Sequence, residues 1–101
     1  MKGCLAMVIG ICKVVLSIED AFSLKEKRSI VKSIIGRIKS RYNASIAEVD
    51  SNDAWKSAVL GIACVTNESA HADSMMSDIV SFIERDGRAV LVDYSTEIIH
   101  V

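Results

Sequence analysis

The sequence has no proline, and its five glycines are dispersed along 101 residues. The absence of proline excludes the proline-rich linkers that separate domains, and no segment is repeated or of low complexity. The dispersed glycines exclude a glycine-rich phosphate-binding loop. A chain of this length without linkers predicts one domain, residues 1–101, with a single hydrophobic core.

Cysteine is also scarce, and the three cysteines are widely spaced: Cys4, Cys12 and Cys64. An odd number at this spacing excludes a disulfide framework and a zinc site, which need more ligands closer together. We therefore expect buried thiols in a reducing cytoplasm and no metal or other cofactor. The apolar segment near the N-terminus lacks a signal-peptide cleavage site and is too short to span a bilayer, so it is predicted to be a buried strand.

Neither sign of charge is in excess, since 12 basic residues oppose 13 acidic ones and the net charge is −1. No global field therefore draws the protein to nucleic acid or to a membrane surface. Any electrostatic contribution to binding must come from a local concentration of charge.

The hydrophobic pattern predicts six elements, four strands and two helices. The strands are Leu5–Ile18, Ala44–Val49, Trp55–Val65 and Ala89–Ile99, and the helices are Ser23–Asn43 and Glu68–Arg85. Ser23 and Glu26 form a capping box at the start of the first helix, and Asn67 is expected to cap the second. The order predicts an α+β ferredoxin-like βαββαβ sandwich, a four-stranded antiparallel sheet with two helices on one face.

The first predicted strand is apolar on both alternating faces, although helices cover only one face of such a sheet. An exposed apolar face usually marks an interface. We therefore expect a second copy of the chain to cover the open face, giving a homodimer.

Residues 23–43 hold seven of the twelve basic residues and a single acid, Glu26. We predict that these seven contact nucleic acid. Lys25, Arg28, Lys32 and Lys39 lie near one helical stripe, because spacings of three, four and seven residues share a face, and Lys27, Arg37 and Arg41 flank it. About six net positive charges on one helix could bind RNA phosphates. The alternatives are a solvated helix face with no partner and an acidic protein surface.

Other residue types give no catalytic or metal-binding pattern. Neither His71 nor His100 has a spaced ligand partner, and no serine or cysteine lies in a nucleophile motif. Glu48 is expected to pair with a lysine such as Lys13 or Lys56. Trp55 is expected to pack over one end of the sheet. No catalytic residue is predicted, and an enzyme is the least favoured class.

The sheet face of this fold is the usual RNA platform, where aromatic side chains of the central strands stack on bases. The corresponding stretches, Val8–Leu16 and Val59–Val65, contain no aromatic residue. We therefore expect any RNA contact to use the first helix instead.

Several blocks occur in one order along the chain: Ser23-Leu24-Lys25-Glu26-Lys27-Arg28, Arg41-Tyr42-Asn43, Ile46-Ala47-Glu48-Val49, Asp53-x-Trp55 and Leu60-Gly61. They resemble the YlxP-like family of small bacterial proteins over roughly Met7 to Ile99, which makes residues 1–6 an N-terminal extension. That family has a ferredoxin-like fold and no assigned function, and its genes often lie among those for translation initiation and ribosome maturation. The resemblance implies a connection with RNA or the ribosome and supplies no catalytic residues.

The sequence thus predicts a small cytoplasmic, non-enzymatic protein that binds RNA or a ribosomal particle through its basic first helix. The alternative is a dimeric regulatory or scaffold module that binds a small ligand or a protein partner. No membrane partner is expected.

Overall fold

The computed structural model describes residues 6–50 and 54–101. Its elements are β1 (Val8–Ser17), α1 (Leu24–Arg41), β2 (Ser45–Asp50), β3 (Ser57–Thr66), α2 (Ser69–Asp86) and β4 (Val90–His100). All six predicted elements are present in the predicted order, with boundaries shifted by a few residues. The predicted extension lies almost wholly outside the described residues, as do Cys4 and Asp53.

The four strands form one antiparallel sheet in the order β2-β3-β1-β4. β1 pairs with β3 from Val8 opposite Thr66 to Ser17 opposite Ser57, and it pairs with β4 on its other side. Strand order and helix placement confirm the predicted ferredoxin-like sandwich.

The core lies between the sheet and the two helices. Alternate residues of β1, namely Val8, Gly10, Cys12, Val14 and Leu16, are buried toward the helices. The buried residues of the two helices are Lys27, Val31, Ile34 and Ile38 of α1, and Ala72, Met76, Ile79, Val80, Phe82 and Ile83 of α2. Cys12 and Cys64 are free thiols within this core, and burial raises the pKa of Cys12.

Side chains cap the start of α1 as the sequence predicts. The Ser23 hydroxyl accepts a hydrogen bond from the backbone N–H of Glu26 at 3.1 Å, and the Glu26 carboxylate accepts one from the N–H of Phe22 at 3.0 Å. The predicted cap of α2 is wrong, because Glu68 occupies the cap position and its side chain makes no cap hydrogen bond. α2 ends at Gly87, whose φ of 82° is left-handed and suits glycine.

Gly10 marks the closest approach of α2 to β1. A Cβ at this position would lie 3.0 Å from Sγ of Cys64 and 3.2 Å from Cβ of Ala72. A larger residue would therefore push the helix away from the sheet. In the described part of the chain, neither helix is long and apolar enough to cross a membrane.

Candidate nucleic-acid interface

Four of the seven predicted binding residues lie together on the exposed side of α1. Lys25, Arg28, Lys32 and Lys39 are all exposed and fall within about 60° of arc at about 100° per residue. No acidic side chain among the described residues forms an ion pair with any of them. We call these four residues the basic stripe.

Lys27 is not part of the basic stripe, and its predicted outward position is wrong. Its side chain is 0% exposed, and its Nζ lies 2.5 Å from Oε2 of Glu48 on β2. Lys27 is in phase with the core residues Val31, Ile34 and Ile38 at spacings of four, seven and eleven residues. The predicted pairing of Glu48 with Lys13 or Lys56 is likewise corrected, since Glu48 points at the helices and pairs with Lys27.

Arg37 and Arg41 are exposed but already engaged on the side of α1 that meets α2. Nη1 of Arg37 donates a hydrogen bond to Oδ2 of Asp86 at 3.1 Å. The guanidinium carbon of Arg41 lies 4.9 Å from the ring centroid of Phe82, a cation–π contact. Both residues therefore help to join the two helices, and less of their charge is left for a partner.

Asp86, the last residue of α2, accepts hydrogen bonds from two arginines, Arg37 of α1 and Arg88 just after α2. Its side chain is only 1% exposed, and Arg88 donates to both of its oxygens, at 2.8 and 2.9 Å. The hydrogen bonds from Arg88 hold the pKa of Asp86 below its ordinary value, and the charge of Arg37 acts in the same direction. The same pair raises the pKa of Arg88. The sequence did not predict this cluster, because Asp86 and Arg37 are 49 residues apart.

Gly36 lies beside the basic stripe, one turn after Lys32. A Cβ at Gly36 would have no heavy atom within 4 Å, so the fold itself does not require glycine there. Glycine in an exposed helix interior costs about 1 kcal/mol relative to alanine. Its neighbours on this face, Ser29 and Ser40, are also small and exposed, which leaves room for a partner to approach the helix backbone.

Phe22 is an exposed aromatic residue at the N-terminal end of the basic stripe. It directly precedes the cap of α1 and is 72% exposed. An aromatic ring beside basic residues suits stacking on a nucleic-acid base. No sequence motif marks Phe22 as a binding residue, although an apolar residue directly before a helix cap is a visible signal. A hydrophobic staple would pack the Phe22 ring against the first turn of α1, whereas in the structure the ring is exposed to solvent.

The open face of the sheet is aliphatic, as expected from the lack of aromatic residues in the central strands. It carries Ile9, Ile11, Lys13 and Val15 of β1, and Val59, Gly61, Ala63 and Val65 of β3. None of these side chains can stack on a base as in RNA-recognition sheets. The open face is therefore a poor RNA platform, whereas Phe22 places an exposed aromatic ring next to the first helix.

The histidines and the tryptophan considered in the sequence do not form a common site in the structure. His71 on α2 and His100 at the end of β4 are both exposed, and Trp55 is 46% exposed in the connection to β3. Within residues 6–50 and 54–101, no three histidine, cysteine or acidic side chains cluster as a metal site would require.

These features define a small ferredoxin-like protein whose first helix exposes a basic stripe. A profile of the family described as "Protein of unknown function (DUF503)" matches residues 9–96, and the chain belongs to that family. The "Uncharacterized protein YlxP" of Bacillus subtilis (strain 168) is 34% identical over 77 residues, which are 76% of this chain and 84% of that protein. The resemblance seen in the sequence is confirmed.

Two designed proteins are among the solved structures that are similar to this chain. The de novo designed protein Foldit4 has a TM-score of 0.48 and 11% identity, covering 96% of this chain and 97% of its own. A de novo designed protein with ferredoxin fold, LFR1 1, has a TM-score of 0.45 and 19% identity, covering 92% and 83%. The fold assignment stands on the strand order and pairing of this chain.

Proposed function

We propose that the protein is a small cytoplasmic, non-enzymatic RNA-binding protein that contacts structured RNA, such as that of a ribosomal particle, through α1. The observation that carries this proposal is the basic stripe, Lys25, Arg28, Lys32 and Lys39, exposed on one side of one helix without ion-pair partners among the described residues. Four like charges so arranged repel one another in the free protein. An anionic partner removes that repulsion.

Two neighbouring features favour nucleic acid over an acidic protein as the partner. Phe22 offers an exposed ring for base stacking at one end of the stripe. Gly36 and the small residues around it allow a phosphate backbone to approach α1 closely.

Salt dependence tests the proposal quantitatively. If all four residues of the stripe contact phosphates, the logarithm of the binding constant should fall with the logarithm of salt with a slope of about −3 to −4. A fourfold rise in salt should then weaken binding about a hundredfold. Filter binding of a structured ribosomal RNA fragment at several salt concentrations measures this slope.

A matched pair of variants distinguishes RNA binding by the basic stripe from electrostatic attraction to the protein as a whole. Lys25→Gln/Lys32→Gln removes two charges from the stripe and should reduce the slope by about two. Lys56→Gln/Arg85→Gln removes two exposed charges elsewhere and should leave the slope unchanged. An equal loss in both variants, or binding with no salt dependence, would contradict the proposal. Co-sedimentation with a ribosomal subunit in low salt then tests the ribosomal partner.

The second candidate is a dimeric regulatory or scaffold module, and the open apolar face of the sheet favours it. Val65, on that face, is 65% exposed. The two candidates are compatible, because the open face and α1 lie on opposite sides of the sheet.

A further inference from the structure

We infer that the open face of the sheet is a homodimer interface in which Lys13 of each copy pairs with Glu97 of the other. The inference does not depend on RNA binding. It starts from the apolar part of the face, where Ile9 of β1 lies between Val65 of β3 and Ile99 of β4, and Ile11 is the next residue of β1 on that face. Ile9, Ile11 and Ile99 are only partly buried, and Val65 is exposed.

The face is large enough for a stable interface. The strands are 10, 6, 10 and 11 residues long. At about 3.3 Å per residue and about 4.8 Å between strands, they make a surface of roughly 600 Å². Because side chains protrude from the sheet, the accessible area of the face is larger than this and approaches the value of about 800 Å² per partner that is typical of specific complexes. Two sheets can pack in this way with their inner side chains interdigitating.

The charges beside the apolar part indicate that the occupant is a second copy. Lys13 lies opposite Ser95 of β4, and Glu97 and Asp93 lie two residues to either side of Ser95 on the same face. All three charged residues are exposed. In the part of the chain that the structure describes, no ion pair engages them.

Glu97 is the better partner for Lys13 of the two acids. Oδ1 of Asp93 already accepts a hydrogen bond from the N–H of Tyr94 at 2.9 Å, whereas Glu97 lies beside the apolar Ile11. A face with both a cation and an anion next to one apolar patch is self-complementary. A two-fold axis brings Lys13 to Glu97 twice, once on each side, as isologous dimers require.

Such a dimer would keep both copies of α1 accessible, since the helices lie on the other face of each sheet. The two basic stripes would point away from each other on opposite sides of the assembly. A long RNA that reached both would gain affinity from the second contact without any new interaction.

Charge reversal with mixing tests the pairing between copies. By analytical ultracentrifugation at micromolar concentrations, the wild-type chain should be a dimer. Lys13→Glu places two acids opposite each other, and Glu97→Lys places two cations opposite each other. Each single variant should therefore weaken dimerisation by roughly tenfold or more. Lys56→Glu, a reversal of an exposed charge outside the open face, should not.

Mixing the two weakened variants should restore the dimer as a one-to-one heterodimer. On one side of its two-fold axis the introduced glutamate meets the introduced lysine, and on the other side the native Lys13 meets the native Glu97. Pairing within one chain cannot be repaired by mixing, so recovery identifies contact between copies. A monomeric wild type, single variants that dimerise like the wild type, or a mixture no tighter than its components would each overturn the inference. Circular dichroism of each variant confirms that the fold is intact.

Discussion

Nζ of Lys27 lies 2.5 Å from Oε2 of Glu48, so a buried ion pair joins α1 to β2. Lys27 is fully buried and Glu48 is mostly so, with 17% of its side chain exposed. Two charges removed from water in this way cost several kcal/mol unless they stay paired. The pair fixes the helix on the sheet at the same end where Lys25 and Arg28 face outward.

Removing one member of this pair should destabilise the fold far more than removing both. Lys27→Met leaves the Glu48 carboxylate without its ammonium partner and should lower the free energy of unfolding by about 3 kcal/mol. The double variant Lys27→Met/Glu48→Leu should recover most of that loss, because apolar residues replace the pair. Urea denaturation measures both effects. If the double variant lost as much free energy of unfolding as the single variants Lys27→Met and Glu48→Leu lose together, this account would be contradicted.

The Asp86 cluster should make stability depend on acid pH. Because its hydrogen bonds with Arg88 lower the pKa of Asp86 in the folded state, the stabilisation is fully present above the unfolded pKa of about 4. It is lost as pH falls from there through the lower folded pKa. We expect Asp86→Asn to be less stable than the wild type by about 1–3 kcal/mol at neutral pH.

The difference between the two proteins should shrink as pH falls below about 4, because the wild-type carboxylate is protonated first in the unfolded state and, at lower pH, in the folded state. Urea unfolding of both proteins between neutral pH and pH of about 2 tests the sign. A difference that stayed constant over this range would show that the hydrogen bonds of Asp86 do not depend on its charge.

Two glycines should respond in opposite ways to the same substitution. Gly36→Ala adds a methyl group to open space on an exposed helix and should raise stability by about 0.5–1 kcal/mol. Gly10→Ala places a Cβ 3.2 Å from that of Ala72 and should lower stability by about 1–3 kcal/mol. Thermal unfolding of the two variants provides the comparison, and a loss of stability in Gly36→Ala would show that this helix position is not open.

Local patterns of the sequence predicted most of the fold. Alternation in β1 and helical spacing in α1 reflect burial against one layer, so each element could be identified from its own residues. The same spacing could have identified Lys27 as buried, since it is in phase with Val31 and Ile34. The charge of Lys27 favours the exposed side of the helix and its phase favours the core, and the structure follows the phase.

Contacts between distant segments could not be predicted in this way. The pairing of Arg37 with Asp86 depends on how the ends of α1 and α2 approach each other, which no local pattern encodes. The same holds for Arg41 and Phe82. The sequence predicts the basic stripe and the three basic residues beside it. The contacts that those three make inside the protein, however, are visible only in the structure.

Phe22 provides the sharpest test of nucleic acid as the partner, because its ring is exposed and makes little contribution to the core. Phe22→Ala should change the free energy of unfolding by less than about 0.5 kcal/mol, as for other exposed positions. If the ring stacks on a base, the same variant should weaken RNA binding by about 1–3 kcal/mol, which is roughly fivefold to 150-fold.

The salt slope should stay as in the wild type, because stacking neutralises no phosphate. Phe22→Trp is the matched control and should retain affinity, since it keeps an aromatic face. Filter binding at several salt concentrations separates these effects from those of the basic stripe. Equal affinity of Phe22→Ala and the wild type would show that the contact with RNA involves charge alone, and a partner with no bases to stack, such as an acidic protein surface, would then explain the basic stripe better.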